Sequence, residues 1–302
     1  MTIIETTEVP PPGLPQLEQE KQQATLNFNR ELKLPKVLQW ILNGWEWITD
    51  PVFLGMHHLP TSGPALFVGN HSATAVLDAA LLQKTLYLKK NIFLRGLGDH
   101  LHFKVPFWGD IVTQFGGVDG TPENCARLMD AQEYLLVFPG GAHEAFKNKG
   151  EEYQLLWKKR VGFARLAIRF GCPIIPFAVV GGDDSYEMVM DRKQIMASPV
   201  GTLLRRLHVR EDLLLPVMKG VGLTLLPRPQ RFYFKFSAPI LTQSYHNQFE
   251  NKEACWELRE QVKRQIEQDL AFLLEKRTRD PEQGWLPRLA RQLIKLESMG
   301  VT

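Results

Sequence analysis

Asn70 and His71 close a short apolar run, and the next carboxylate comes only at Asp78. A histidine can take a proton from a hydroxyl when its imidazole is neutral and held in one tautomer. An acid bonded to the far ring nitrogen supplies that hold. The spacing restricts how the two residues can meet. On one straight helix His71 and Asp78 would lie roughly 10 Å apart along the axis, at about 1.5 Å rise per residue. A pairing therefore predicts His71 in a loop at the end of a strand, with Asp78 early in the following helix. Ser72 and Thr74 suit such a turn and helix start. A second reactive stretch is Pro139-Gly140-Gly141, where backbone without side chains can approach a ligand and aim N–H groups at developing negative charge. A tight turn after a strand would use the same residues. His143 has no comparable strand end to order it, and Lys158, Lys159 and Arg160 offer charge to a phosphate or simply to solvent.

These groups need a scaffold, and 302 residues at 44% hydrophobic and 23% charged are enough to bury a large core. The net charge of +3 suits anionic lipid or a phosphorylated ligand. No basic stripe with interleaved aromatics points to nucleic acid. Cys125, Cys172 and Cys255 lack any CxxC spacing, which supports neither a disulfide framework nor a zinc site and suggests a reducing compartment. No window approaches the roughly 20 apolar residues of a spanning helix. Residues 1–30, with three consecutive prolines and several acids, read as a disordered leader rather than a secretory or mitochondrial presequence.

Residues 31–50 predict an amphipathic helix, with Val37, Leu38, Ile41, Leu42, Trp45 and Ile48 at helical spacing and Pro35 in its first turn. Trp40, Trp45 and Trp47 give it an interfacial character, so docking on the core and contact with a membrane are both expected. From Pro64 apolar strands alternate with helices: "PALFVGN", "NIFLRG", "EYLLVFPGG" and "CPIIPFAVVGG" as strands, "TPENCARLMDAQE" and "VGFARLAIRFG" as helices. Continuous apolar strands separated by helices imply an α/β fold with a mostly parallel central sheet covered on both faces. Its ligand site should lie beyond the carboxyl ends of the strands. The expected organisation is an interfacial helix at 31–50, a catalytic-type domain at 51–245 ending in the strand "RFYFKFSAPI", and a helical extension at 246–302. In that extension Cys255, Leu258, Val262, Ile266 and Leu270 form one stripe. "LLLPVMKGVGLTLLP", from Leu213, is too short and interrupted to span a bilayer. It reads as core packing, or as a lip touching membrane or an acyl chain.

Four blocks in order, over roughly Leu59 to Val180, resemble the lysophospholipid and glycerol acyltransferase superfamily. They are Asn70-His71 with Asp78, Phe138-Pro139-Gly140-Gly141 with Glu144, Arg160 before Gly162, and Pro173 to Pro176. The resemblance implies a glycerol-3-phosphate acyltransferase-like fold and transfer of a fatty acyl group from a thioester to a lipid hydroxyl. His71 would be the general base and Asp78 the acid that orients it. Asn70, Phe138, Pro139, Gly140, Gly141, Glu144 and Arg160 would line the substrate site. It implies no metal and no cofactor, with acyl-CoA or acyl-carrier protein as co-substrate. The implied partners are a membrane lipid acceptor and a membrane surface, met peripherally from the cytoplasmic or stromal face. Six residues separate His71 from Asp78, where the commonest form of the family has four. The arginines that meet phosphate are missing from "FPGGAHEAF" and "FGGVDGT". In motif style the chain is therefore closest to the diacylglycerol acyltransferase and phytyl ester synthase-like side, whose acceptor is an uncharged alcohol. A lysophosphatidate or lysophospholipid acyltransferase is the neighbouring reading.

Other classes fare worse. A serine hydrolase would need a GxSxG elbow, which is absent. Metal-assisted hydrolysis through Asp183 and Asp184 lacks a second spaced histidine. A non-catalytic lipid-binding protein on the same fold would fit if His71 and Asp78 could not meet and no transfer occurred.

Overall fold

The computed structural model describes residues 36–72, 77–105, 107–206 and 216–298; the leader 1–30, Pro35 and Thr74 lie outside them. The central sheet has seven strands, β1 (Val52–Leu54), β2 (Ala65–Gly69), β3 (Leu94–Gly98), β4 (Gly117–Asp119), β5 (Tyr134–Val137), β6 (Ile174–Val180) and β9 (Tyr233–Phe236), in the order β1-β9-β6-β2-β5-β3-β4. All neighbouring pairs are parallel except β6 with β9. A separate antiparallel ribbon pairs β7 (Glu187–Met190) with β8 (Val217–Lys219).

Both faces of the sheet are apolar because side chains alternate along each strand. Leu66, Val68, Ile174, Ala178 and Val180 enter one core, and Ala65, Phe67, Ile175, Phe177 and Val179 enter the other. Helices α5 (Pro122–Asp130), α7 (Gly162–Phe170) and α10 (Lys252–Thr278) contribute to the first core, while α1 (Lys36–Thr49) and α2 (Leu77–Lys90) contribute to the second. Local chemistry sets their ends. The Thr121 hydroxyl accepts from Asn124 N ahead of α5, Gly171 closes α7 in the left-handed conformation, and the Asn251 side chain accepts from Glu253 N and Ala254 N ahead of α10. The shorter helices are α3 (His100–Lys104), α4 (Trp108–Gln114), α6 (Gly141–Ala145), α8 (Arg192–Ala197) and α9 (Pro199–Arg206). The last helix is α11 (Trp285–Ser298). Among the described residues no helix is long and apolar enough to cross a membrane.

Several elements differ from the sequence expectation. β3 starts at Leu94 rather than Asn91, because Asn91 takes a left-handed φ of 54° that ends α2 and Ile92 N returns to Leu86 O. α1 docks through Leu38, Leu42 and Trp45, which fall on a narrow arc at about 100° per residue. Val37, Trp40, Ile41, Trp47 and Ile48 occupy the neighbouring arc and stay exposed. From "LLLPVMKGVGLTLLP", Leu213 to Leu215 lie outside the described residues. Val221, Leu223, Leu225 and Leu226 stand in solvent, so these four are not core. The segment 246–302 supplies α10, whose stripe of Cys255, Leu258, Val262, Ile266 and Leu270 is buried in the same cluster as β2 and β6.

α11 is turned the opposite way from a docked amphipathic helix. Its polar residues face the body: Arg288 donates to the carbonyls of Ile48, Glu282, Gln283 and Pro229, Arg291 pairs with Asp50 and Glu282, and Gln292 donates to Trp47 O. Leu286, Leu293 and Ile294 are left exposed.

Because α10 shares its core with the sheet, Ile266→Ala should destabilise the whole chain by about 2–5 kcal/mol. Denaturant unfolding should remain a single transition. Two separated transitions would show that 246–302 folds by itself.

Candidate active site

β2 lies between β6 and β5, so three neighbouring strands deliver their carboxyl-end loops to one place. Asn70 decides where β2 stops. Its side chain is buried, donates Nδ2 to Val179 O at 2.9 Å and accepts from Val179 N at 2.8 Å, which extends the ladder with β6 by one residue. Both ends of that amide are thereby engaged, and the next residue, His71, leaves the sheet. The partly buried imidazole stacks on Phe138, which follows β5, with centroids 4.3 Å apart and planes 4° from parallel.

The peptide groups around His71 are gripped by charge. Its N–H donates to Glu144 Oε1 at 2.7 Å, and its carbonyl accepts from Lys147 Nζ at 2.6 Å. The other Glu144 oxygen accepts from Leu156 N at 2.9 Å. Lys147 is buried and forms an ion pair with Asp183 at 3.2 Å, and Asp183 in turn accepts from Tyr153 N at 2.8 Å. Loops following β2, β5 and β6 are thus tied together at one histidine. The glycine turn serves this arrangement. Gly140 must be glycine because a Cβ there would stand 2.1 Å from Glu144 Oε2. Gly141 N–H closes the turn on Phe138 O at 2.9 Å, and Arg160 Nη1 donates to Pro139 O at 2.8 Å.

Burial pushes His71 down to about 3, and the charge of Lys147 and then His102 push it the same way. The ring is therefore neutral at physiological pH, and to take a proton it needs a negative charge that balances the imidazolium. Burial raises Asp78 to about 6 against the opposing hydrogen bonds of Ser72 and Ala79, and it raises Glu144 to about 7 against the His71 N–H, Lys147 and the Leu156 N–H. The tautomer hold is not completed here. His71 Nδ1 is buried without a partner, while the Asp78 carboxylate accepts from Ser72 Oγ at 2.5 Å and Ala79 N at 2.6 Å. Asp78 does sit in the first turn of α2, where the spacing placed it. Asp99, another acid in the region, accepts from Leu101 N ahead of α3. Asp184 is engaged by Tyr153 and Arg277, and among the described residues no group of three or more His, Cys, Asp or Glu is placed to hold a metal.

Sequence reasoning missed Lys147 and undervalued Ser72. Lys147 stands three residues beyond Glu144 in "FPGGAHEAFK", a spacing that puts both on one side of a helical turn, and this was the available signal. Lys147→Met should make His71 easier to protonate, raising its midpoint by on the order of one pH unit. Ring-proton NMR of His71 would read this, and a midpoint unmoved by the substitution would contradict the proposed electrostatic coupling.

Residues 51–180 match the family model described as Acyltransferase. The chain is 34% identical over 259 residues to phytyl ester synthase 1, chloroplastic, from Arabidopsis thaliana, and 33% identical over 266 residues to phytyl ester synthase 2, chloroplastic, from the same plant. These alignments cover 78% and 80% of this chain and 36% of each relative. A Bos taurus protein named DGAT1/2-independent enzyme synthesizing storage lipids is 33% identical over 122 residues, covering 40% of this chain and 36% of that protein. The chain thus spans little more than a third of the length of these relatives. By its matched domain the chain belongs to the acyltransferase family of the lysophospholipid and glycerol acyltransferase superfamily, and in sequence it is similar to the phytyl ester synthase-like branch.

Proposed function

We propose that the chain is an O-acyltransferase moving a fatty acyl group from a thioester, carried by CoA or an acyl-carrier protein, to the hydroxyl of a lipid. The observation that carries this reading is the placement of the His71 ring at the end of β2, stacked on Phe138, with its own peptide groups held by Glu144 and Lys147. His71 takes the hydroxyl proton as the oxygen bonds to the thioester carbonyl carbon. Collapse of the tetrahedral intermediate breaks the carbon–sulfur bond, and the imidazolium returns its proton to the departing sulfur. Asp78, in the first turn of α2 and accepting from Ser72 Oγ, is the carboxylate that balances the imidazolium.

The acceptor is an uncharged alcohol or a diacylglycerol. Phosphate recognition needs a cation free to bond it. Lys147 is engaged by His71 O and Asp183, Arg160 donates only Nη1 to Pro139 O, and the two stretches "FPGGAHEAF" and "FGGVDGT" carry no arginine, so the uncharged acceptor rests on those missing arginines. The names of the similar plant and bovine proteins, which speak of phytyl esters and storage lipids, agree with such an acceptor. The protein meets its lipid peripherally, from the cytoplasmic or stromal side, through the exposed Trp40 and Trp47 of α1 and the outward apolar face of α11.

The test is incubation of purified protein with a labelled acyl thioester and a panel of lysophosphatidate, lysophospholipid, diacylglycerol and a long-chain alcohol. Transfer to diacylglycerol or the alcohol should exceed transfer to lysophosphatidate by about tenfold, the discrimination that roughly 1.4 kcal/mol provides. A preference for lysophosphatidate would overturn the neutral acceptor, and no transfer to any acceptor would favour a lipid-binding protein. His71→Ala should reduce transfer by about 100-fold or more without lowering the unfolding temperature. A folded His71→Ala variant with parental activity would remove His71 as the base.

A further inference from the structure

Beyond the segment matched by the acyltransferase family model, the chain leaves β6 through Asp183 and forms the β7–β8 ribbon before returning to β9. The turn following β8 carries four exposed aliphatic residues, Val221, Leu223, Leu225 and Leu226, with Leu223 93% exposed. This exposure is built in. Gly220 N bonds Thr224 O at 2.7 Å, Val221 N bonds Leu226 O at 2.8 Å, and Arg228 Nε reaches back to Gly220 O at 3.2 Å. Gly220 has room for no side chain, since a Cβ would lie 1.7 Å from Leu226 O. The turn is locked in a form that holds its leucines away from both cores.

Charge indicates what covers them. Residues 186–228 contain Arg192, Lys193, Arg205, Arg206, Arg210, Lys219 and Arg228 against Glu187, Asp191, Glu211 and Asp212. Lys219 and Arg228 share the single carboxylate of Glu187 beside the turn. Aliphatic side chains in an exposed turn with an excess of cations on the same excursion match a surface that is anionic outside and hydrocarbon inside. We propose that the β7–β8 ribbon docks on an anionic lipid bilayer, with the 221–226 turn entering the boundary between headgroups and acyl chains. The turn follows the end of β8 that pairs with the start of β7, and β7 begins shortly after Asp183, the counter-ion of Lys147 at His71. The contact needs only a bilayer and is independent of the acyl-transfer chemistry.

Full-length protein is mixed with vesicles of phosphatidylcholine alone, or of phosphatidylcholine with phosphatidylglycerol, and the bound fraction is read by flotation. The parent protein should bind the anionic vesicles at least tenfold more tightly, and salt should weaken that binding. Leu223→Ser with Leu225→Ser should lower binding about tenfold or more while leaving the unfolding temperature unchanged, because both residues are solvent-exposed. Lys193→Gln with Arg206→Gln should reduce the preference for anionic vesicles. Four results would overturn the proposal: no binding by the parent, equal binding to both vesicle types, parental binding by the double-leucine variant, or a dimer in light scattering that the leucine substitutions convert to monomer. The last would make a second copy of the chain the true occupant.

Discussion

A histidine that collects protons in a buried setting must be held without using up its ring, and here the hold falls on the peptide groups around it. Glu144 takes the His71 N–H and Lys147 takes the carbonyl, so the ring itself is left to stack on Phe138. This arrangement buries an ammonium and a carboxyl group that burial raises to about 7. A buried ammonium without a partner would cost several kcal/mol, and losing one member of such a pair typically costs about 3–5 kcal/mol. Lys147 avoids that cost through Asp183 and the His71 carbonyl together. Glu144 is satisfied by two backbone N–H groups. The same ammonium that fixes the loop also opposes protonation of the ring, so position and proton affinity are coupled through one residue.

The sheet makes the arrangement possible. Parallel strands that are apolar on both faces need helices on both sides, and their loops then gather at one edge. β2, β5 and β6 are neighbours, so the loop carrying His71, the glycine turn and Asp183 arrive side by side although they are far apart in the chain. The outer elements serve another purpose. α11 directs its arginines inward to Asp50, Glu282 and backbone carbonyls, and leaves its apolar residues outside, beside the exposed tryptophans of α1. A helix oriented this way gains little from the core and leaves an apolar face uncovered.

Strands buried on both faces were readable from sequence because they are unbroken apolar runs bounded by glycine or asparagine, as β2 and β6 are. The α10 stripe was readable for the corresponding helical reason. β1 and β4, at three residues each, are too short to show any period, and α11, inside the helical extension expected at 246–302, gave no sign that its polar face would be the one turned inward. At the site, the spacing of His71 and Asp78 correctly required a strand end followed by a helix start. It could not reveal that Ser72 would take the Asp78 carboxylate, because a hydroxyl in a turn reads as a cap. Lys147 was passed over for a related reason: its spacing from Glu144 was legible, but a single lysine after a glutamate looks like solvated surface until the fold buries it.

The account turns on whether Glu144 holds His71 or holds substrate. The most direct measurement is steady-state acyl transfer by Glu144→Gln, with kcat and KM for the acceptor resolved separately. The side chain keeps its shape but can no longer accept both N–H groups through two oxygens. The expected result is a fall in kcat of about tenfold or more with KM unchanged, the signature of a misplaced base. A raised KM with kcat intact would contradict the account and make Glu144 a substrate-binding residue instead.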